Sequence, residues 1–343
     1  MKVKNKVIVF SAVVSALLWG VLAANGFEQA LSLTAALTLL IAILWVTEAL
    51  PIPVTSLIPF VAFPMAGVID YKEAASALGS HVILLLMGAF MLSKALEKSG
   101  VHRRIAVYML RLCGASSAKR LVLGFMLTSA VLSMWISNTA TTLMLLPIAM
   151  AIITSMNSPK LAAALLLGIA YSASLGGVGT PIGTPPNIIF MSVYQQTTGT
   201  ELSFINWMMT GVPIVLIAIP IMAFWLTRKL SDMPDCDLPK AGDWRPAEKR
   251  VLTVFGIVAL AWIFRPYWSV WTGMTLVSDS TIAIAGVVLM FLVPNGDKEK
   301  PDQLLDWKTA EAIPWGMLLL FAGGICMAKA FTASGLSLLL GEA

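Results

Sequence analysis

Apolar runs recur along the whole chain, each about as long as a helix must be to cross a bilayer's hydrocarbon core, roughly 17–25 residues. They lie near 7–25, 32–50, 52–69, 82–98, 161–191 (interrupted), 207–227, 250–265, 276–293 and 313–330. A water-soluble fold could not cover them. Of 343 residues, 58% are hydrophobic and only 12% charged, against about 25% charged in an ordinary soluble domain. Lipid offers the backbone no hydrogen-bond partners, so runs of this length predict an all-α polytopic membrane protein. The same composition excludes disorder, nucleic-acid binding and a secreted disulfide scaffold. Cys113, Cys236 and Cys326 are far apart and have no metal-ligand spacing. The first run follows Lys2, Lys4 and Lys6, yet Asn25-Gly26-Phe27-Glu28 offers no small-residue cleavage site, so it reads as a first transmembrane helix.

One further segment, 121–156, is too long for a single helix and carries Ser137-Asn138-Thr139 at its middle. It either crosses twice or enters and turns back, and both leave the parity of crossings unchanged. The basic residues then fix orientation. With a cytoplasmic N-terminus, nineteen of the 23 lysines and arginines fall on the cytoplasmic side and two, Lys72 and Arg265, outside, with Lys94 and Lys329 in helix ends. The positive-inside rule demands such a split. It predicts a multi-pass protein of the cell (inner) membrane. The polar stretch 231–248 reads as a cytoplasmic linker between a first half, 1–230, with six helices and a re-entrant hairpin near 121–156, and a second part, 249–343. Val101–Cys113 reads as an amphipathic helix on the cytoplasmic surface, and the aromatic residues of 262–271 as an outer belt. His81 and His102 fall at membrane boundaries.

The two parts share a pattern. Ile69-Asp70-Tyr71-Lys72 matches Leu305-Asp306-Trp307-Lys308, Gly88 matches Gly323, Lys94-Ala95 matches Lys329-Ala330, and Ser99-Gly100 matches Ser334-Gly335, at an offset of 236 and then 235. On the charge map 82–98 runs from outside to inside and 313–330 runs the other way. That is an inverted-topology repeat, a signature of secondary transporters. The same offset carries Ser137 to position 372, beyond residue 343. The second repeat is therefore expected to be incomplete, as in a truncated transporter or one encoded by a split gene.

Two intramembrane segments, 133–142 and 176–187, are polar yet uncharged. Non-helical backbone at membrane depth survives only where it lines a cavity or is buried in protein. Pro185 and Pro186 lack amide hydrogens, and the glycines of 176–183 permit unusual dihedrals, so the second segment is expected to break its helix. The first has neither Gly nor Pro, and its turn follows from length and polarity alone. A helix break leaves free carbonyls that, with hydroxyl and amide oxygens, suit a small hard cation such as Na⁺. Amide hydrogens at the next helix N-terminus suit a carboxylate. Ser137, Asn138 and Thr139 are each suited to start the returning helix. Neither segment holds His or an acidic residue, which argues against a metal hydrolase or proton relay there. A lone Ser-Thr pair in a membrane helix is ordinarily a packing feature. Two such segments in one half, one of them rich in Gly and Pro, favour binding. Glu48 is a functional candidate as an intramembrane carboxylate, although its place near a helix end favours an ion pair or a solvated terminus.

Trp135-Ile136-Ser137-Asn138-Thr139-Ala140-Thr141, Gly183-Thr184-Pro185-Pro186-Asn187 and Glu48-Ala49-Leu50-Pro51-Ile52-Pro53-Val54-Thr55 together resemble the divalent anion:sodium symporter family, over roughly residues 30–336. The resemblance implies a homodimer in which each protomer has a scaffold part and a mobile transport part. It also implies a secondary active symporter, not an enzyme, moving di- and tricarboxylates such as succinate, malate, fumarate and citrate with Na⁺ by alternating access. By that likeness Ser133, Ser137, Asn138 and Gly183 surround Na⁺, and Asn138, Thr139, Thr184 and Pro185 face the carboxylate. The family has a second Asn-Thr hairpin and a second broken helix, which this sequence lacks, and it includes exchangers that do not use sodium. A carrier of another anion such as sulfate or arsenite, or a non-transporting fragment or half-subunit, stay open as alternatives.

Overall fold

A computed structural model describes residues 2–114, 117–230 and 242–342. The helices of the N-terminal part are α1 (Lys2–Ala24), α2 (Gln29–Thr47), α3 (Ile52–Thr55), α4 (Ile58–Met65), α5 (Tyr71–Leu78), α6 (His81–Ser99) and α7 (Val101–Cys113). Then come α8 (Ala118–Ser133), α9 (Asn138–Met156), α10 (Pro159–Gly176), α11 (Pro185–Thr198) and α12 (Phe204–Thr227), with a 3-10 turn at Gly177–Gly179. The last are α13 (Pro246–Trp271), α14 (Asp279–Leu292), α15 (Trp307–Ala310), α16 (Trp315–Ser334) and α17 (Leu336–Glu342). Eight helical stretches among the described residues are long and apolar enough to cross a membrane. The protein is an all-α, polytopic membrane protein.

The apolar run 52–69 does not make one span. It folds as α3 and α4, parted at Ser56-Leu57. Pro53 and Pro59 lack amide hydrogens and crowd the turn before them, so the run breaks. The other runs become helices within a few residues of their expected ends, and 121–156 becomes two helices, α8 and α9, joined through residues 134–137.

The chain forms two compact units, one built from residues up to Ile83 together with those from Pro314 onward, the other from Leu84–Ile313. In the first, Ile41, Phe63, Ile69, Ala74, Ala77, Cys326, Met327 and Ala330 make a buried apolar cluster. Gly323 lets α16 lie against the chain at Ser56, where a Cβ would come within 2.5 Å of the Ser56 carbonyl oxygen. Glu48 is exposed and ends α2 in the left-handed conformation (φ 48°), the solvated-terminus reading.

In the second unit α8 is the centre, packed against α7, α9, α10 and α12. The Ser129 hydroxyl donates to the Ile169 carbonyl on α10 (2.8 Å). Of the stretch 231–248, residues 231–241, and with them Cys236, lie outside the described residues. Its other end is held fast. Arg104 of α7 pairs with Glu248 in the first turn of α13 (2.9 Å) and donates to the carbonyls of Gly242 and Asp243. Tyr108 stacks on Trp244 with ring centroids 6.1 Å apart. Helix α7 is thus amphipathic as its sequence predicts, but Arg104 faces protein. The aromatic stretch 262–271 also divides. Tyr267 and Trp271 are exposed, whereas Trp262 is fully buried and donates its indole N–H to the Asp279 carbonyl (2.9 Å).

Two of the paired anchors are placed alike, whereas Lys94 pairs with Glu97 (2.7 Å) and Lys329 bonds the Ser76 hydroxyl (2.5 Å). Asp70 caps α5 by accepting the Glu73 N–H (2.7 Å), and Asp306 caps α15 by accepting the Thr309 N–H (2.9 Å). Gly100 and Gly335 follow α6 and α16 with φ of +76° and +74°, a conformation that costs glycine little.

Candidate functional site

Helix α8 stops at Ser133 and α9 starts at Asn138, so the hairpin reverses through Met134, Trp135, Ile136 and Ser137. Ser137 is the cap. Its hydroxyl accepts the Ala140 N–H (3.2 Å) and its carbonyl accepts the Thr141 N–H (3.0 Å). This is the usual way a serine closes an N-terminus, and it needs no glycine.

The second segment breaks as expected. Helix α10 tightens into the 3-10 turn, the chain is extended at Thr180 and again at Thr184, and α11 begins at Pro185. Proline suits a first helical position, where the missing N–H would lack a partner in any case. Asn187 reaches back across the gap, donating to the carbonyls of Gly177 (2.7 Å) and Thr180 (2.8 Å). It thereby satisfies carbonyls that a broken helix leaves without partners.

Hairpin and break meet. The Thr180 hydroxyl donates to the Met134 carbonyl (2.5 Å), and the Ser133 hydroxyl donates to Asn138 Oδ1. A Cβ on Gly177 would stand 3.1 Å from Asn138 Oδ1 and 3.2 Å from the Gly183 carbonyl oxygen. A Cβ on Gly183 would stand 2.5 Å from the Gly177 carbonyl oxygen. Glycine at 183 lets the two sides of the break lie this close, and a Cβ at 177 would be tight against the Asn138 amide oxygen. None of the described side chains named at this centre, Ser133, Asn138, Thr180, Thr184 and Asn187, is a carboxylate, ammonium or imidazole. Among the described residues no group of three or more His, Cys, Asp or Glu could hold a metal ion.

Residues 42–343 match the citrate transporter family. The chain belongs to that family. It is 39% identical over 330 residues to the sodium-dependent dicarboxylate transporter SdcS of Staphylococcus saprophyticus, and 38% identical to SdcS of Staphylococcus aureus strain USA300. Each match covers 90% of this chain and 63% of the relative. The chain therefore spans less than two thirds of the length of these curated relatives.

Within this citrate transporter family member, the residues singled out from sequence are placed as follows. Asn138 and Gly183 converge on Gly177, Ser133 bonds Asn138, and Ser137 caps the adjoining helix. Ser133 is buried and Asn138 half-buried. Thr184 and Pro185 are half-buried at the start of α11, with the Thr184 Cβ 3.3 Å from where a Gly177 Cβ would stand. Thr139 is exposed on the first turn of α9. One expectation needs correction. The α11 N-terminus is poor in amide donors, because Pro185 and Pro186 have none and the Asn187 N–H is bonded to the Thr184 carbonyl (3.1 Å). The amides of Asn138 and Thr139, which begin α9, are the ones that helix geometry leaves without carbonyl partners.

Three supporting residues escaped the sequence reading. Thr180 ties the break to the hairpin, Asn187 bridges the break, and Trp207 of α12 donates its indole N–H to the Val178 carbonyl (2.8 Å). The polar character of Thr180 and Asn187 was visible, but the partners of Thr180 and Trp207 lie 46 and 29 residues away.

Proposed function

We propose that the chain serves sodium-coupled, secondary active transport of C4-dicarboxylates or related di- and tricarboxylates by alternating access. The observation that carries this reading is a cluster of neutral oxygens: Ser133 Oγ bonds Asn138 Oδ1, and Asn138 Oδ1 and the Gly183 carbonyl oxygen both lie beside Gly177. Neutral oxygens at a helix break suit a hard monovalent cation. The names of the SdcS relatives, sodium-dependent dicarboxylate transporters, support the same cargo and ion.

The chemistry follows from charge. Na⁺ enters first, drawing Asn138 Oδ1 from its bond with Ser133 and ordering the loop around Gly183. The bound cation and the positive N-terminal end of α9 then offset a carboxylate at Asn138, Thr139, Thr184 and Pro185. An unpaired dianion in low-dielectric surroundings would be very costly. If more than two Na⁺ accompany a dianion, the membrane potential adds about 2.3 kcal/mol per net charge per 100 mV. The charge asymmetry supports a cytoplasmic N-terminus in the cell (inner) membrane. The matching caps of α5 and α15 suit an inverted repeat around the linker 231–248, and the resemblance to the symporter family implies a homodimer embedded in lipid.

A sodium gradient should drive labelled succinate into proteoliposomes holding the purified protein, and Asn138→Ala should remove that uptake while membrane insertion survives. Undiminished uptake by Asn138→Ala would refute the site, and uptake indifferent to sodium would refute the coupling ion.

A further inference from the structure

We propose that Trp135 is a positioning residue for the cation seat, holding the hairpin tip through an aromatic ladder anchored on the Arg265–Asp279 ion pair. The inference rests on the sodium reading above. Trp135 lies in the turn between Ser133 and Asn138, the two side chains whose oxygens face each other. That turn has no Gly or Pro, and beyond the Ser137 cap and the Trp135 and Ile136 N–H bonds to the Leu132 carbonyl it is held by contacts from other helices.

Two holds act on consecutive residues. On one side the Thr180 hydroxyl bonds the Met134 carbonyl. On the other, the Trp135 ring stacks on Phe204 at the start of α12 (centroids 6.2 Å, planes 18° apart) and meets Phe255 of α13 edge-on (5.5 Å, 87°). Phe204 and Trp262 are both fully buried and stack on each other at 5.1 Å and 7°. The Trp262 indole donates to the Asp279 carbonyl (2.9 Å). One turn further along α13, Arg265 Nε pairs with Asp279 Oδ1 (2.7 Å), and its guanidinium also reaches Glu201 (2.5 Å). Offset and edge-on ring pairs resist sliding and tilting. A tilt of the tip would change the separation of the Ser133 and Asn138 oxygens, and binding geometries tolerate only about 0.5 Å of such error.

The test titrates sodium against the melting temperature of the purified protein in detergent, with choline chloride holding ionic strength constant. The wild type should show a saturable rise. Trp135→Leu should raise the half-saturating sodium concentration about three- to tenfold, the worth of a lost ring pair. Trp135→Phe, which keeps a ring to stack, should stay within about twofold. Phe204→Leu removes the next rung without touching the tip and should shift the half-saturation the same way, so it decides the matter if Trp135→Leu does not fold. A variant that melts earlier without sodium yet keeps the wild-type half-saturation has lost packing only, and that result overturns the positioning role. A wild type with no sodium response overturns the cation reading itself, and the positioning role with it.

Discussion

Two sites in the unit Leu84–Ile313 hold buried polar atoms by opposite means. At the hairpin and helix break, every group is neutral, and Ser133 and Asn138 bond to each other. At the junction of α7 and α13, Arg104 and Glu248 are charged, 9% and 2% exposed, and Glu248 also accepts the Arg245 backbone N–H (2.8 Å). A neutral hydroxyl or amide can give up one partner for another at a cost of about 1 kcal/mol. A buried charge that loses its partner is strongly destabilising. The first arrangement suits a place where an ion comes and goes, the second a joint that must stay closed.

The largest effect should come from opening that joint. Arg104→Ala should lower stability most, because it takes one of two arginine partners from the buried Glu248 carboxylate, whereas Arg104→Met with Glu248→Leu should lose far less. Denaturant unfolding of the purified variants decides this, and a small loss in Arg104→Ala would erase the contrast between the two places. Next, Gly183→Ala should cost about 1–3 kcal/mol by overpacking, since its Cβ would press on the Gly177 carbonyl. It should also abolish sodium-dependent stabilisation. Retained sodium dependence in a well-folded Gly183→Ala would show that the neutral centre does not need its close backbone contact.

The smallest effect concerns a third, wetter kind of polarity. Lys98 bridges Asp302 (2.6 Å) and Asp306 (2.5 Å), and its hydrogen bonds hold both carboxyls below the usual aspartate range. A lowered folded-state pKa gives stability that is fully present above the unfolded value, about 4, and is lost as pH falls through the folded values. Melting temperature should therefore drop below about pH 4, and Lys98→Met should flatten that drop. An unchanged pH profile in Lys98→Met would assign the acid sensitivity elsewhere.

How much of this was legible follows from where each partner lies. Spans were readable because bilayer thickness dictates run length, and the break at 176–187 because Gly and Pro act locally. The split of 52–69 was also local, written in Pro53 and Pro59, yet the apolar run masked it. Trp262 looked like its neighbours Tyr267 and Trp271, and only the stack on Phe204 sets it apart. Arg104 read as a surface charge because Glu248 lies 144 residues away. The sequence thus marked the polar groups at the centre but not the scaffolding that sets their spacing.

The side chain of Asn187, bonded to carbonyls on the far side of the gap between α10 and α11, has a mechanical consequence. The two helical pieces are laced to each other across the break, so bending the chain at Gly177 would have to rupture both Asn187 bonds.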